Sequence, residues 1–248
     1  MQRDKLFGIN PVAEALKAGR SVHRLLVVDQ RKTDRDVNAI IRMAKEKGIE
    51  VRIATRAAFN REAPHALHQG IIAFASAADY VSLDDILQIP EKRAEMPFFM
   101  ILDGIEDPRN LGAVLRTAEA AGVHGVIIPE RRAAGLTEIV AKTAAGALEY
   151  VPVAKVANIA NTIDELKKIG VWVAGTEAGG KLVYWEADFT IPMAIVLGSE
   201  GKGIRRLVRD HCDYMVSLPL MGKISSLNVS VAAGILLYEV LRQRKEKK

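Results

Sequence analysis

From residue 97 onward, the chain alternates between short apolar stretches and segments with helical periodicity. Helical segments fit at residues 110–121, 137–146, 158–169, 203–212 and 226–244. The six strand candidates are FFMILD, GVIIP, VPVAKV, VWVAGTE, MAIVLGSE and YMVSLPL. Strands that are apolar on both faces and are joined by helices predict a parallel sheet covered on both sides. The predicted fold class is therefore α/β.

Residues 1–78 predict a separate and smaller α/β unit. Strand-like runs occur at 22–28, 49–53 and 70–76, and the first two flank a helix with an apolar face. Residues 79–96 combine a short helical segment after Ser82 with Pro90 and a charged run, which is typical of a connector. We therefore expect a small unit at 1–78, a linker at 79–96 and a larger domain at 97–248.

The positive charge of the chain is concentrated in the smaller unit. Residues 1–78 hold 14 Lys+Arg against 8 Asp+Glu, whereas residues 79–248 hold 21 against 22. A basic module beside a near-neutral one indicates that the basic module binds a polyanion. The alternative is that the basic residues form a solvated surface without a partner.

Several classes of protein are disfavoured by composition. No uncharged apolar run reaches the roughly 18 residues that span a bilayer, and the opening MQRDKLFGINP has no apolar signal region. Cys212 is the single cysteine, which fits a reducing compartment. The histidines and this cysteine show no metal-ligand spacing, so we expect no metal and a cytoplasmic location.

Ligands of parallel sheets bind at the carboxyl ends of the strands, which selects the loops after Asp103, Thr176, Leu197 and Leu218. The first of these loops lacks the G-x-G-x-x-G pattern of dinucleotide-binding folds, which disfavours a nicotinamide-dependent oxidoreductase.

In the first loop, Asn110 is placed to cap a helix, and Arg116 follows six residues later. Arg116 has two interpretations, a solvated surface residue or a residue that faces a cleft. Glu200 lies among Gly198, Gly201 and Gly203; it is either functional or stabilises the N-terminus of the next helix.

The last loop places Ser225, Ser226 and Asn228 just before a helix of small residues. One serine can cap that helix. Capping leaves Asn228 unexplained, so the segment is either a tightly packed capped helix or part of a binding site.

Three segments together resemble, in order and spacing, the motifs of the SpoU/TrmH family of RNA 2′-O-ribose methyltransferases. They are NLGAVLRTAEAAG, IVLGSEGKGI and LPLMGKISSLNVSVAAGILLYE. The resemblance covers residues 97–245, and the N-terminal part is similar to the substrate-binding domain of that family, a small α/β sandwich like certain ribosomal proteins. The branch that methylates a guanosine in 23S rRNA is the most similar.

The resemblance implies a parallel sheet with a C-terminal deep trefoil knot, a homodimer formed by the catalytic domain, RNA as substrate and S-adenosylmethionine as cofactor. It further implies that Thr176, Gly198, Leu218 and Leu227 bind the cofactor. The implied catalytic residues are Arg116, Asn110, Glu200, Ser226 and Asn228.

A guanidinium stays protonated at neutral pH and has no lone pair with which to take up a further proton. The favoured hypothesis is therefore that Arg116 binds the phosphate beside the target ribose and stabilises the developing alkoxide; proton abstraction by Arg116 is the alternative. A tRNA substrate and a non-catalytic RNA-binding or ribosome-assembly protein remain open as alternative functions.

Overall fold

The computed structural model describes residues 3–62, 68–76, 79–223 and 225–247. The chain forms two compact units. The first comprises Met1–Asp79 together with Leu136–Tyr150, and the second comprises Tyr80–Gly135 together with Val151–Lys248.

The first unit is built on a four-stranded sheet in the order β1-β4-β2-β3, in which only β2 and β3 are parallel. Its helices cover both faces of the sheet. One face packs on an apolar cluster that includes Leu16, Leu25 and Ile40, and the other packs on Phe59. The elements of this unit are β1 (Arg3–Phe7), α1 (Ile9–Lys17), β2 (Val22–Val28), α2 (Arg35–Glu46), β3 (Glu50–Ala54), α3 (Arg56–Glu62), β4 (Ile71–Ser76) and α7 (Glu138–Ala144).

The predicted domain division places helix α7 in the domain at 97–248. In the structure, the segment that contains α7 belongs to the first unit instead. Ala141 of α7 is a member of the apolar cluster that contains α1 and α2. Glu149 forms an ion pair with Arg20 at 2.8 Å, with both side chains nearly buried. Apolar contact and a shielded ion pair therefore hold residues 136–150 on the small unit.

The second unit contains a seven-stranded, fully parallel sheet in the order β7-β6-β5-β10-β8-β11-β9. All six predicted strands are present, and the short β9 was not predicted. The predicted α/β class with a parallel sheet is thus confirmed, while the trefoil knot stays a prediction. The elements are α4 (Leu83–Leu87), α5 (Ile89–Arg93), β5 (Phe98–Asp103), α6 (Pro108–Ala120), β6 (Gly125–Pro129), β7 (Val153–Val156), α8 (Ile159–Lys168), β8 (Trp172–Thr176), β9 (Leu182–Val183), β10 (Met193–Gly198), α9 (Arg206–His211), β11 (Tyr214–Ser217) and α10 (Val229–Glu246).

Residues 79–96 do not behave as the predicted linker. Val81 forms a parallel bridge with Ala154, and Ser82 begins α4 with a capping box closed by Asp85. Ile86 is fully buried against β6, so closely that a side chain at Gly125 would overlap with it. The segment is therefore part of the second unit. Among the described helices, none combines the length and apolar character needed to cross a membrane.

Candidate active site

Two cavities lie at the carboxyl edge of the parallel sheet, where ligand binding was predicted. The first cavity has a volume of about 370 Å³ and is formed by residues that follow β8, β10 and β11. Thr176, Gly198, Leu218 and Leu227, the four residues implied to bind a cofactor, all line it.

The loop after β10 folds back on its own strand. Ser199 and Gly203 exchange two main-chain hydrogen bonds of 3.2 and 2.9 Å, with Gly201 and Gly203 at positive φ. A side chain at Gly198 would overlap with the main chain of Gly203 and Ile204. Gly198 is therefore required because the loop packs directly against it. The sequence pattern alone did not show whether this glycine makes room for the loop or for a ligand.

The turn of this loop presents Glu200 to two asparagines from other elements. Glu200 Oε1 accepts hydrogen bonds from Asn110 Nδ2 at 3.0 Å, from Asn228 Nδ2 at 2.7 Å and from the N–H of Val229 at 3.3 Å. Asn228 Nδ2 also donates to Asn110 Oδ1 at 3.0 Å. Three of the predicted catalytic residues thus form one hydrogen-bonded cluster, although Glu200 is 90 positions from Asn110 and 28 positions from Asn228 along the chain.

The hydrogen-bonding capacity of the two asparagines differs. Asn228 uses both N–H groups of its amide within the cluster, and its Oδ1 accepts from the N–H and the hydroxyl of Ser230 at 2.9 and 2.6 Å. Asn110 uses one N–H and one lone pair. Asn110 therefore keeps groups for a ligand, whereas Asn228 serves to position its neighbours.

Two predicted helix caps are corrected. Asp107, rather than Asn110, caps α6 by accepting from the N–H of Arg109 at 2.7 Å, with Pro108 in the first turn. Asn228, rather than Ser225 or Ser226, caps α10. Capping by Asp107 leaves the side chain of Asn110 free to reach Glu200.

The second cavity has a volume of about 340 Å³ and is lined by residues from the loops after β5, β6 and β10. It shares Ser199, Glu200, Gly203 and Val229 with the first cavity. Asn110 also lines the second cavity. The Asn110–Glu200–Asn228 cluster therefore lies where the two cavities meet.

Ser226 and Arg116 lie outside the cluster. Ser226 lines the first cavity and is exposed. Arg116 is exposed on α6 and lines neither cavity. Six residues along a helix separate Arg116 from Asn110 by about 9 Å along the axis and place them on different faces. The fold of one chain therefore does not bring Arg116 to the other predicted catalytic residues.

An ion pair between Asp103 and Arg205 was not predicted as part of the site. Asp103 is buried at the end of β5, and Arg205 donates to it from its main-chain N–H at 2.8 Å and from Nε at 2.7 Å. The pair fixes the end of the loop after β10 at the floor of the second cavity. A carboxylate at the end of a wholly apolar strand was the available signal in the sequence.

Comparison with family models matches residues 97–238 to the SpoU rRNA Methylase family. Residues 5–81 match the model described as RNA 2′-O ribose methyltransferase substrate binding. A Bacillus subtilis (strain 168) protein named "Putative TrmH family tRNA/rRNA methyltransferase YacO" is 44% identical over 243 residues, which cover 98% of this chain and 97% of the relative.

Solved structures agree with these matches. The SpoU methyltransferase AviRb from Streptomyces viridochromogenes, in complex with the cofactor AdoMet, has a TM-score of 0.79 at 26% identity and covers 98% of this chain and 91% of its own. A crystal structure described as an RNA 2′-O ribose methyltransferase has a TM-score of 0.78 at 26% identity, covering 98% of this chain and 89% of its own. The predicted resemblance to the SpoU/TrmH family is thus confirmed, and the chain belongs to the SpoU family of RNA methyltransferases.

Proposed function

We propose that this protein transfers a methyl group from S-adenosylmethionine to the 2′-hydroxyl of a ribose in RNA, with a guanosine of 23S rRNA as the target. The observation that carries the proposal is the shared wall of the two cavities, in which Glu200 faces both. One cavity accommodates the methyl donor and the other the nucleotide, so that donor and acceptor meet at the Asn110–Glu200–Asn228 cluster.

S-adenosylmethionine is the cofactor, and the first cavity fits it. The cavity volume lies in the range of small-molecule sites, about 300 to 1,000 Å³. Leu197 and Leu220 give it apolar walls, while Thr176 and Ser226 give it hydroxyl groups. The main-chain N–H and C=O of Leu227 form no hydrogen bond with another described residue, which leaves them available to a ligand. When bound, the cofactor supplies an electrophilic sulfonium methyl group.

The acceptor hydroxyl must be oriented and must lose its proton, because a neutral hydroxyl is a weak nucleophile. Asn110 retains one N–H and one lone pair toward the second cavity. The Oε2 atom of Glu200 forms no hydrogen bond with another described residue, whereas Oε1 accepts hydrogen bonds from three donors. We assign Asn110 to orient the ribose, Glu200 and Asn228 to hold Asn110 in place, and Ser226 to contact the cofactor or ribose. Much of the acceleration then comes from positioning.

Arg116 is assigned to the phosphate beside the target ribose, where its charge also stabilises the developing alkoxide. The planar guanidinium binds a phosphate with two parallel hydrogen bonds, which an ammonium does not reproduce. Arg116→Lys is therefore expected to lower kcat by about 10-fold or more, with unchanged S-adenosylmethionine affinity in calorimetry. Turnover at the wild-type level in this variant contradicts the assignment.

A homodimer is proposed through α10. Its inner side is buried, yet Val231 and Tyr238 are about half exposed, and Ile235 and Gly234 lie between them. A methyl group added at Gly234 would lie 3.9 Å from Thr117 of α6, so the residue that follows Arg116 lies beside this apolar stripe. Tyr238→Lys is expected to shift the mass in light scattering from dimer to monomer, because a buried unpaired charge is unfavourable. Wild-type protein that is monomeric at micromolar concentration contradicts the dimer.

The first unit is proposed as the RNA-binding module. Arg42 and Lys45 are exposed on α2, where their charges can reach phosphates. The double variant Arg42→Gln/Lys45→Gln is expected to reduce the slope of log K against log salt by about 1.4 to 1.8. Full-length protein is needed, since residues 136–150 complete the core of this unit. An unchanged slope contradicts a role of this surface in RNA binding.

The function is tested with methyl-labelled S-adenosylmethionine, the purified protein and unmodified 23S rRNA, with tRNA in parallel. A methylated 2′-oxygen cannot attack its phosphodiester, so alkaline digestion leaves one resistant linkage that identifies the nucleotide. Label in tRNA alone would identify tRNA as the substrate instead. Cofactor binding without label in either RNA contradicts free 23S rRNA as the substrate and points to a pre-ribosomal particle or a missing partner, and absence of cofactor binding contradicts the enzyme. Since the proposed substrates are cytoplasmic RNAs, we expect the enzyme in the cytoplasm.

A further inference from the structure

The loop after β6 carries Arg131 and Arg132, of which Arg132 lines the second cavity. Arg131 and Arg132 are exposed, and neither forms a hydrogen bond or an ion pair with any residue that the structure describes. The main chain around them is fixed, because the N–H of Glu130 donates to Val156 O at 2.9 Å and the N–H of Ala134 donates to Ile105 O at 2.8 Å. The two guanidiniums are thus held on an anchored loop while remaining free to bind a ligand.

Arg132 lies between two cavities. It lines the second cavity together with Asn110 and Glu200. It also lines a third cavity of about 600 Å³ that extends past Asn158 and Leu207. Pro129, Arg132 and Arg205 are common to both. The second and third cavities therefore adjoin at these three residues, and the two together are called the groove.

The sign of the charge changes along this groove. Apart from the Asp103–Arg205 ion pair, the second cavity is lined by three carboxylates against two basic side chains. The third is lined by the single carboxylate of Glu130 against three guanidiniums, of which that of Arg205 is paired with Asp103. A phosphate is repelled by the first group and attracted by the second. Among the described residues, Arg132 is the one cation without an ion pair that lines both cavities, so a strand that passes from Glu200 into the third cavity meets its guanidinium.

The main chain of Arg132 is strained, with φ at +60°. A residue with a Cβ in the left-handed region is destabilised relative to glycine, because the Cβ lies too close to the following carbonyl oxygen. Glycine or asparagine would adopt this conformation more easily. Strain of this kind is typical of residues whose side chain has a function.

We infer that Arg132 binds the phosphate on the other side of the target ribose from the phosphate assigned to Arg116, and so directs the RNA strand from the second cavity into the third. The inference rests on the proposed function and names a binding residue for it. Arg132 differs from Arg116, which is exposed on α6 and lines neither cavity.

The test compares wild-type protein with Arg132→Asn, which removes the charge but tolerates positive φ. Filter binding of an unmodified 23S rRNA transcript between 50 and 200 mM KCl is expected to show a slope smaller by about 0.7 to 0.9, the contribution of one phosphate contact. The KM for the transcript is expected to rise by about 10-fold. Arg132→Lys should recover most of the slope, because the charge is restored.

Two controls separate this role from a structural one. Arg206→Asn removes an arginine that is 95% exposed and lines neither cavity, and should leave slope and KM unchanged. The midpoint of thermal unfolding and the S-adenosylmethionine affinity of Arg132→Asn should not fall, since the substitution relieves strain.

The outcomes distinguish the two proposals. If wild-type protein methylates the transcript while Arg132→Asn keeps its slope and KM, the inference about Arg132 is overturned and the proposed function stands. If wild-type protein methylates no RNA, the proposed function fails, and filter binding alone still shows whether Arg132 contacts a phosphate.

Discussion

Replacement of Glu200 by alanine is expected to lower kcat/KM for methyl transfer by about 10³-fold. The substitution removes the oxygen that accepts hydrogen bonds from Asn110, Asn228 and the N–H of Val229. Charge-assisted bonds of this kind are about twice as strong as neutral ones, and misplacement of an orienting group by about 1 Å costs about 10²-fold. The measurement is single-turnover transfer of labelled methyl to 23S rRNA.

Glu200→Gln separates charge from geometry, since its amide oxygen still accepts hydrogen bonds. We expect an intermediate loss of about 10- to 100-fold for this variant. Glu165→Ala removes an exposed carboxylate on α8 and serves as the matched control, with activity near wild type. A loss of less than 10-fold in Glu200→Ala argues against the cluster as the organiser of the site.

Gly198→Ala is expected to reduce the free energy of unfolding by about 3 kcal/mol and to weaken S-adenosylmethionine binding by more than 10-fold. The added methyl group would overlap with the main chain of Gly203 and Ile204, which cannot rotate away as a flexible side chain can. The loop that carries Glu200 must therefore move. Thermal unfolding and calorimetry measure the two effects.

Gly222→Ala is the control for this substitution. A methyl group at Gly222 meets nothing within 4 Å, and its φ is not positive. We expect changes of less than about 0.5 kcal/mol in stability, as is usual for surface substitutions. If Gly198→Ala is as stable and binds the cofactor as well as Gly222→Ala, the steric role of Gly198 is wrong.

The architecture of the second unit could be predicted because its strands are apolar on both faces, a pattern that few structures other than a covered parallel sheet satisfy. The domain boundaries were less accessible. Ile86 and Ala141 are apolar residues in short helices, and periodicity does not tell which core a short helix joins. Only the tertiary contacts placed α4 on the large unit and α7 on the small one.

In the site, too, some features could be predicted from the sequence and others depend on tertiary contacts. Position at strand ends and the motif resemblance selected Thr176, Gly198, Leu218 and Leu227, which do line one cavity. The sequence did not show which residue caps α6, since both Asp107 and Asn110 are good capping residues. Arg132 was not predicted, because neither its positive φ nor its position on the groove can be read from the sequence.

The insertion of residues 136–150 into the core of the small unit has a consequence for biosynthesis. The chain crosses between the two units three times, and the small unit lacks α7 until residue 150 has been made. At about 5 to 20 residues per second, translation from residue 79 to residue 150 takes on the order of 4 to 14 s. During that interval the apolar face that receives Ala141 is uncovered on the nascent chain while β5 and β6 are being synthesised. The small unit therefore cannot complete its fold before synthesis of the second unit has begun.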